Sequence, residues 1–360
     1  MMKKRLLSFT ALALCLCLLL PVCLAGAADA DAPRSGTFRF LNYNIAGLPS
    51  LNPSSGKSAL QRTLGQTLAA DDYDLIAVQE DFSYDSQFSK GLNAAYRTYG
   101  AQNPVTGDGL NLFSKTPVYN VAREAWEQKG GMLWEGDIVS QKGFLYAAVE
   151  IAEGVFIDVY DLHGDAFGGA ESIAARQSNF RQLQQFVLSH SAGRAVIITG
   201  DFNSTFHFTN GEGADLYEVF VAGLGMSDAW TDTVNHGSFT DYSAYSGDYW
   251  GNWDSVEHIL YRSGDAVTLT ALSHEYINYT DAQGNPFSDH AAAAASFSYT
   301  VTGDSAPESL KPAARSLPSL VNTARVVYAD LKYVFTHFDE LITMLKYADD
   351  ITYLYEHYSR

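Results

Sequence analysis

A series of short apolar runs, each ending in polar residues, most constrains what this chain can fold into. Residues 37–44 alternate apolar and polar side chains, as a strand with one buried face does. Residues 74–79 and 194–199 are apolar through their centres, which is typical of strands buried on both faces. Polar residues recur where these strands end, so we expect the chemistry of the chain to collect at one edge of a sheet.

Helical patterns separate the predicted strands. Residues 57–70 repeat leucine at helical intervals, and residues 170–190 form the clearest helical pattern, with Gly193 following as a stop. Further strands are predicted over residues 109–113, 144–151, 155–162, 256–261 and 291–300. This mixture, with no internal repeat, indicates an α/β or α+β fold.

The N-terminus has the pattern of a secretory signal. Three basic residues at positions 3–5 precede an apolar run over residues 6–20, and small residues follow at 25–27. We therefore predict a signal peptide over residues 1–27 and a secreted, extracellular protein. All three cysteines lie inside this segment, so the mature chain is expected to have neither disulfides nor a thiolate metal site.

The charge balance restricts the partners of the chain. Asp and Glu number 41 against 23 Lys and Arg, and the formal net charge is −18. Tight binding to polyphosphate backbones relies on Lys and Arg, so this balance argues against a high-affinity DNA-binding enzyme. A local basic patch within an acidic total is still compatible with a nuclease.

The composition changes near Gly303. Residues 303–320 are rich in Pro, Ser and Ala and are predicted to be a linker, and residues 321–360 an amphipathic helical tail. The tail carries a heptad-like apolar stripe formed by Val327, Leu331, Val334, Phe338, Leu341, Leu345 and Ala348.

Three roles fit this tail: packing against the rest of the chain, self-association, and docking on a membrane surface. Acidic residues on the polar face disfavour the membrane role, namely Asp330, Asp339, Glu340, Asp349 and Asp350.

Several polar residues at predicted strand ends are candidates for chemistry. Asp201 and Asn203 are two positions apart and face the same way, so one can orient or deprotonate a water while the other donates to a phosphate oxygen. His163 and His290 are candidates for charge stabilisation or acid–base work. Taken singly, each also fits an ordinary turn or loop residue.

Five stretches occur in a characteristic order: LNYNIAGLP, DLIAVQED, YDLHGDA, VIITGDFN and SDHAA. On these stretches the chain resembles the endonuclease/exonuclease/phosphatase, or DNase I-like, superfamily. The resemblance implies a catalytic domain over residues 37–302, built as an α+β, four-layer α/β/β/α sandwich with the site at one edge. The C-terminal helix is then an addition to this fold.

The resemblance also implies roles for individual residues. It implies Glu80 as principal metal ligand with Asn44 nearby, and Asp289 in the metal or water network. It implies that Asp201 activates the attacking water. Phosphate binding falls to Asn203 and His163, and His290 either polarises the phosphate or acts as acid–base partner. The implied cofactor is Mg²⁺, with Mn²⁺ or Ca²⁺ as alternatives.

One position departs from the family pattern. The family usually carries an Asp just before a late strand, where it orients the final His. Here Glu257 stands at the corresponding position, one methylene longer, and is expected to reach His290 in altered geometry. Asp254 is the alternative partner.

Within the superfamily, the segments NYNIAGLP and KGFLY (residues 142–146) look most like secreted neutral sphingomyelinases and related phospholipase C-like enzymes. This resemblance implies a metal-dependent phosphoric diester hydrolase that acts on a phospholipid headgroup, with contact to a membrane surface. The aromatic candidates for that contact are Trp126, Trp134, Tyr249, Trp250 and Trp253, although core or loop packing is the commoner role of such residues.

Three alternatives stay open. A secreted DNase-like endonuclease uses the same metal site with a basic flank. The residues available for such a flank are Arg62, Lys90, Arg97, Lys115, Arg176 and Arg181. The other two are a phosphatase for inositol or sugar phosphates, and a non-catalytic secreted module that binds partners through the C-terminal helix.

Overall fold

The protein is built around two six-stranded sheets, as seen in a computed structural model. The structure describes residues 34–48, 56–100, 107–130, 141–206, 215–241 and 255–336, together with residues 338 and 342. The predicted signal peptide lies outside these residues.

The strands follow one another in chain order as β1 (Arg34–Asn44), β2 (Leu75–Gln79), β3 (Tyr96–Arg97), β4 (Asn111–Ser114), β5 (Val118–Ala125), β6 (Gly143–Ala152), β7 (Val155–His163), β8 (Val196–Asp201), β9 (Ser227–Asp228), β10 (Glu257–Arg262), β11 (Val267–Ile277) and β12 (Ala292–Val301). One sheet has the order β11-β12-β1-β2-β4-β3, and the other has the order β5-β6-β7-β8-β10-β9. Strand β1 pairs in parallel with β2 in the first sheet, and β7 pairs in parallel with β8 in the second.

The helices are α1 (Lys57–Asp71), α2 (Asp85–Leu92), α3 (Ala170–His190), α4 (Ala229–Thr233) and α5 (Leu320–Thr336), and a short π-helix spans Tyr217–Ala222. Helices α1 and α2 pack on the outer face of the first sheet. Helix α3 packs on the outer face of the second. The layers are therefore helix, sheet, sheet and helix, and the predicted α+β sandwich is confirmed.

Alternation along each strand divides the core into layers. In β1, Phe38 and Phe40 point between the sheets, whereas Leu41 and Tyr43 point outward against α1 and α2. In β8, Ile197 points between the sheets, and the residues on either side of it point toward α3. Both faces of these central strands are buried, which explains their nearly continuous apolar sequences.

Most predicted elements are found within one to three residues of their expected ends, and α3 spans the predicted residues 170–190. Strands β3, β5, β9 and β11 were not predicted from the sequence. Strand β11 alternates buried and exposed residues only in its first half, Val267 and Leu269 being buried, and a bulge follows at residues 271–273. Such an irregular edge strand gives a weak periodic signal.

The segment before α5 runs along the sandwich. Ser305 is buried and accepts a hydrogen bond from the backbone N–H of Phe156 (2.9 Å). Further along, the side chain of Asn120 bonds to the backbone of Ser309 and Lys311. No helix among the described residues is long and apolar enough to cross a membrane.

Candidate active site

The candidate site lies where the inward-facing rows of both sheets change from apolar to polar. In β1 the row Phe38, Phe40 continues as Asn42 and Asn44, and all four side chains are buried. In β7 the row of Ile157 and Val159 continues as Asp161 and His163. The apolar core therefore ends in a buried polar edge, which is the edge that the sequence predicted.

Strand register brings three of the candidate residues together in the second sheet. Asp201 at the end of β8 is level with His163 in β7 and with Glu257 in β10. His163 Nε2 lies 3.3 Å from Asp201 Oδ2. All three side chains are buried, so their charges interact with little screening by water.

Asn44 joins the two sheets at this edge. Its side-chain amide donates to Asp201 Oδ2 (3.0 Å) and lies 3.3 Å from Glu80 Oε1. The same nitrogen is 3.4 Å from His290 Nε2. Residues from four separate stretches of sequence thus meet around one amide group.

His290 is held by Glu257. The Nδ1 of His290 lies 2.5 Å from Glu257 Oε1, and the other carboxylate oxygen accepts from Ser255 Oγ (2.8 Å). The longer side chain at position 257 therefore reaches the imidazole. Asp254, the alternative partner, lies outside the described residues.

Ser288 fixes the loop that carries His290. Its hydroxyl donates to the backbone carbonyl of Asn44 (2.7 Å) and accepts from the backbone N–H of His290 (3.1 Å). Asp289, between them, is exposed, and its closest described contact is Ser288 Oγ at 3.4 Å. Its charge still acts on Glu80 and on His290.

Two candidate residues have left-handed backbone conformations. Glu80 has φ 57° and Asn203 has φ 50°. Such angles cost energy for residues other than glycine and often occur at functional sites. The backbone of Glu80 is also contacted closely by Gly47, where a β-carbon would lie 2.3 Å from the Glu80 carbonyl oxygen. Only glycine allows this approach.

Asn203 faces the loop that follows His163. Its backbone N–H donates to Asp201 Oδ1 (2.9 Å), and its side-chain amide donates to the carbonyl of Gly164 (3.2 Å). These bonds bring the side chain of Asn203 against the loop after β7, next to His163.

The pKa values of the buried groups are strongly shifted. Burial, assisted by the charge of Lys142, lowers the pKa of His163 to about 3, so this imidazole is neutral near pH 7. Burial by itself raises the pKa of Asp201, but its interactions with His163, His290 and Lys142 outweigh this effect and lower the pKa.

His290 has the opposite shift. Burial lowers its pKa, but the carboxylates of Glu257 and Asp201 outweigh this effect and raise the pKa to about 10. Burial raises the pKa of Glu80, against the charge of Lys142 and the Asn44 hydrogen bond. The site therefore pairs a neutral histidine with a protonated one across an ionised aspartate.

The Endonuclease/Exonuclease/phosphatase family profile matches residues 41–290, which include every candidate site residue. The chain belongs to this family. The predicted superfamily is thereby confirmed.

Sequence and structural relatives agree with the family assignment. A Mycobacterium tuberculosis sphingomyelinase is 34% identical over 278 residues, which cover 74% of this chain and 53% of that protein. The chain thus spans about half the length of this curated relative.

Solved structures of the same fold are more distant in sequence. A humanized D. rerio TDP2 superposes with a TM-score of 0.56 at 18% identity, over 72% of this chain and 98% of that one. A variant beta toxin from Staphylococcus aureus, crystallised with magnesium ions, superposes with a TM-score of 0.51 at 17% identity, over 72% of this chain and 99% of that one.

The donor set of this family member fits a hard divalent cation. Asp201, Glu257 and His290 each offer one ligand atom within 4.8 Å of the others. Glu80, the predicted principal ligand, is joined to this group through Asn44. Carboxylate oxygens, such as those of Glu80 and Asp201, are among the ligands that Mg²⁺ and Ca²⁺ prefer.

Sequence reasoning missed Lys142 as part of the site. Its side chain is buried, donates to the carbonyl of Gly164 (3.2 Å), and acts electrostatically on Glu80, His163 and Asp201. The only sequence signal was its position just before β6, in the segment that carries the sphingomyelinase resemblance.

A polar layer beneath the site was also missed. Gln79 donates to Asn42 Oδ1 (2.8 Å) and to Asp161 Oδ1 (2.6 Å), and Asn42 donates to the carbonyl of Gly200 (3.1 Å). Burial raises the pKa of Asp161 well above its usual range. These residues lie one or two positions before the candidate residues, and strand alternation is the signal that could have found them.

The prediction that Trp126 is an exposed membrane-contacting residue is wrong. Its side chain is buried among Phe144 and neighbouring aromatics, and its Nε1 donates to the carbonyl of His163 (2.6 Å). A large aromatic ring with one polar atom is more stable in a core that accepts its hydrogen bond. The other four aromatic candidates lie outside the described residues.

Proposed function

We propose that this chain is a secreted, Mg²⁺-dependent phosphoric diester hydrolase that cleaves the headgroup phosphodiester of a phospholipid, as sphingomyelinases and phospholipases C do. The observation that carries the proposal is the convergence of Glu80, Asp201 and His290 around the amide of Asn44. The family assignment and the sphingomyelinase relative support the class of reaction and of substrate.

The residues divide the chemistry in a way that follows from their charges. Asp201 is ionised, so it accepts the proton of the attacking water. His163 is neutral and donates from Nε2 to Asp201, which fixes the orientation of that carboxylate. His290 is protonated and presents Nε2 toward the same space, where it stabilises a phosphate oxygen or protonates the leaving group.

A bound divalent cation would supply positive charge to the phosphate oxygens at this edge. Glu80 is the residue best suited to hold it, because its half-buried carboxylate has no positively charged hydrogen-bond partner among the contacts described, and Asn44 orients it. The magnesium ions in the fold-related beta toxin support Mg²⁺ as the metal.

The acidic surface and the placement of several basic residues favour a lipid headgroup over DNA. Arg176 is buried and donates to backbone carbonyls of the loop after β7. Arg97 pairs with Asp85, and Lys115 pairs with Asp72 and Asp74. These three residues are thus engaged elsewhere and do not line a basic groove for phosphates.

A substrate panel tests the proposal. Purified protein is incubated with sphingomyelin vesicles, plasmid DNA, inositol phosphates and bis-p-nitrophenyl phosphate, with Mg²⁺, with EDTA, and with EDTA followed by excess Mg²⁺. We expect release of phosphocholine, loss of activity in EDTA and recovery with Mg²⁺. Rapid plasmid degradation without lipid cleavage would instead assign the chain to the nuclease alternative, and release of inorganic phosphate alone to the phosphatase one.

Secretion is proposed from the N-terminal sequence. The basic residues at positions 3–5 and the apolar run over residues 6–20 support it. Protein recovered from the culture medium should begin near Ala28. Retention of the full N-terminus in the cell fraction would contradict export.

A further inference from the structure

The C-terminal helix α5 is attached to the sandwich by polar contacts. Asn322 accepts from the backbone N–H of Ala125 and donates to its carbonyl, each at 2.9 Å. Arg325 pairs with Glu127 (2.7 Å), and Asp330 pairs with Lys129 (3.1 Å). Val326 is the one large apolar side chain between residues 320 and 336 that is fully buried.

The large apolar side chains of this helix point the other way. Leu320 is 88% exposed, Phe335 77% and Tyr328 71%. The remaining exposed members are Val321, Val327 and Leu331, and Phe338 and Ile342 are exposed beyond the end of the helix. A surface helix normally buries its apolar face against the core, so this orientation is reversed.

The exposed apolar row differs from the heptad stripe predicted from the sequence. Val334, a member of the predicted stripe, is half-buried, and Phe335 takes its place on the exposed face. At 3.6 residues per turn, the exposed apolar side chains between residues 320 and 336 cover an arc of about 120°. This is broader than the narrow seam that a two-stranded coiled coil buries.

Two of the charges near the row, those of Arg325 and Asp330, are paired within the chain. Partner choice in paired helices comes from charged residues that flank the apolar seam. In α5, Arg325 and Asp330 are engaged by Glu127 and Lys129 of the same molecule. Asp330, which disfavoured a membrane role in the sequence, is therefore paired. The net charge of −18 also makes two copies repel each other, whereas a zwitterionic bilayer exerts no such repulsion.

The helix is linked to the candidate site by a short chain of contacts. Ala125, which Asn322 holds, is followed by Trp126, whose indole donates to the carbonyl of His163. The loop after His163 carries Phe167, which is half exposed, with φ 67°. The attached face of α5 is thus connected to the candidate site through Ala125 and Trp126.

We propose that the exposed face of α5 is a docking surface for zwitterionic lipid bilayers. It inserts its apolar side chains at the level of the headgroups and holds the site next to the membrane. The choice of a lipid as occupant rests on the proposed function. The surface itself lies outside the residues matched by the family profile.

The test measures binding to vesicles in the absence of hydrolysis. The full chain is sedimented with sucrose-loaded phosphatidylcholine vesicles in EDTA. A variant carrying Leu331→Glu and Phe335→Glu is compared with wild type. Its matched control carries Leu188→Glu and Leu272→Glu, two exposed leucines on α3 and β11. Thermal unfolding verifies that both variants are folded.

We expect wild type and the control to sediment with the vesicles and the α5 variant to lose about tenfold or more of its partitioning. Equal partitioning of all three proteins would overturn the proposal. So would binding by wild type to anionic vesicles only.

A second measurement separates a lipid from a second copy as the occupant. If light scattering shows that the α5 substitutions convert a dimer into a monomer while vesicle binding is unchanged, the surface is a dimer interface and the proposal is wrong. Hydrolysis of bis-p-nitrophenyl phosphate by wild type is measured in parallel. Vesicle binding without hydrolysis would support the docking surface and refute the proposed function. Hydrolysis without vesicle binding would support the proposed function and refute the docking surface.

Discussion

The polar edge of the sandwich and the helix α5 differ in which side chains they bury and which they expose. At the edge, Asp201, His163 and Glu257 are buried although they are polar. On α5, Phe335 and Tyr328 are exposed although they are apolar. Both arrangements are costly for an isolated molecule, since buried charges lose their hydration and exposed apolar groups order water around them.

The two regions offset these costs differently. The polar groups of the edge bond to one another, and Asn44 alone contacts Glu80, Asp201 and His290. The apolar face of α5 has no comparable partners among the described residues. The polar groups of the edge are therefore held in place by contacts within the fold. The exposed apolar face of α5 instead indicates a surface that binds a partner outside the molecule.

The largest expected effect comes from removing the charge at the centre of the edge. Asp201→Asn keeps the shape of the side chain but removes the acceptor for the proton of water. Turnover of bis-p-nitrophenyl phosphate should fall on the order of 10²–10⁴-fold. Vesicle binding should stay at the wild-type level, because binding by α5 does not depend on the charge of Asp201. Asp304→Asn, at an exposed aspartate, is the control, and near-wild-type turnover of the Asp201 variant would remove this residue from the mechanism.

A smaller effect is expected for the residue that positions His290. Glu257→Gln leaves a hydrogen-bonding group of the same length but removes the charge that raises the pKa of His290. Turnover should fall by about 10–100-fold. Because His290 then loses its proton at lower pH, the alkaline limb of the pH–rate profile should move to lower pH. If the alkaline limb of the pH–rate profile stays in place, the role of Glu257 is only structural.

The attachment of α5 is tested by Asn322→Ala. The substitution leaves the backbone N–H of Ala125 without this partner, at a cost of about 1–3 kcal/mol, whereas its carbonyl still accepts from Gln182 (3.0 Å). Hydrogen exchange of the α5 amides should accelerate accordingly. Asn120→Ala removes a similar two-way contact at a more exposed position and should leave α5 exchange unchanged. Equal acceleration in both variants would mean that Asn322 does not specifically hold the helix.

A separate effect, on stability alone, concerns a buried imidazole away from both regions. Burial lowers the pKa of His274 to about 3, and neither ring nitrogen has a hydrogen-bond partner among the described residues. Below about pH 6.5 the unfolded chain binds a proton that the folded chain refuses, so stability falls as the pH falls toward 3. Each pH unit in this window costs about 1.4 kcal/mol.

His274→Leu should remove that slope. Urea unfolding between about pH 6.5 and about pH 4.5 measures it, as the difference between the wild-type and variant free energies of unfolding. Parallel pH dependences of the two proteins would show that His274 takes up its proton in the folded state as it does in the unfolded chain. Burial would then not keep this imidazole neutral.

The sequence by itself determined the elements and the order of the motifs. Period-two and helical patterns are properties of neighbouring residues, so strands such as β7 and the helix α3 could be predicted close to their ends. The motif order was sufficient to predict the family and its sandwich. It was also sufficient to place Asp201, His163 and His290 among the candidates.

Only the tertiary structure decided which side chains meet. Asn44 and Asp201 are 157 positions apart, and their contact depends on the packing of two sheets that no local pattern encodes. The same is true of the entry of Lys142 into the site, of Glu257 reaching His290, and of the burial of Trp126. For α5, the sequence contained an apolar stripe, but the bond between Asn322 and Ala125 decided which face turns outward. Local periodicity comes from bonded neighbours, whereas convergence comes from distant strands whose register is fixed only when the whole core packs.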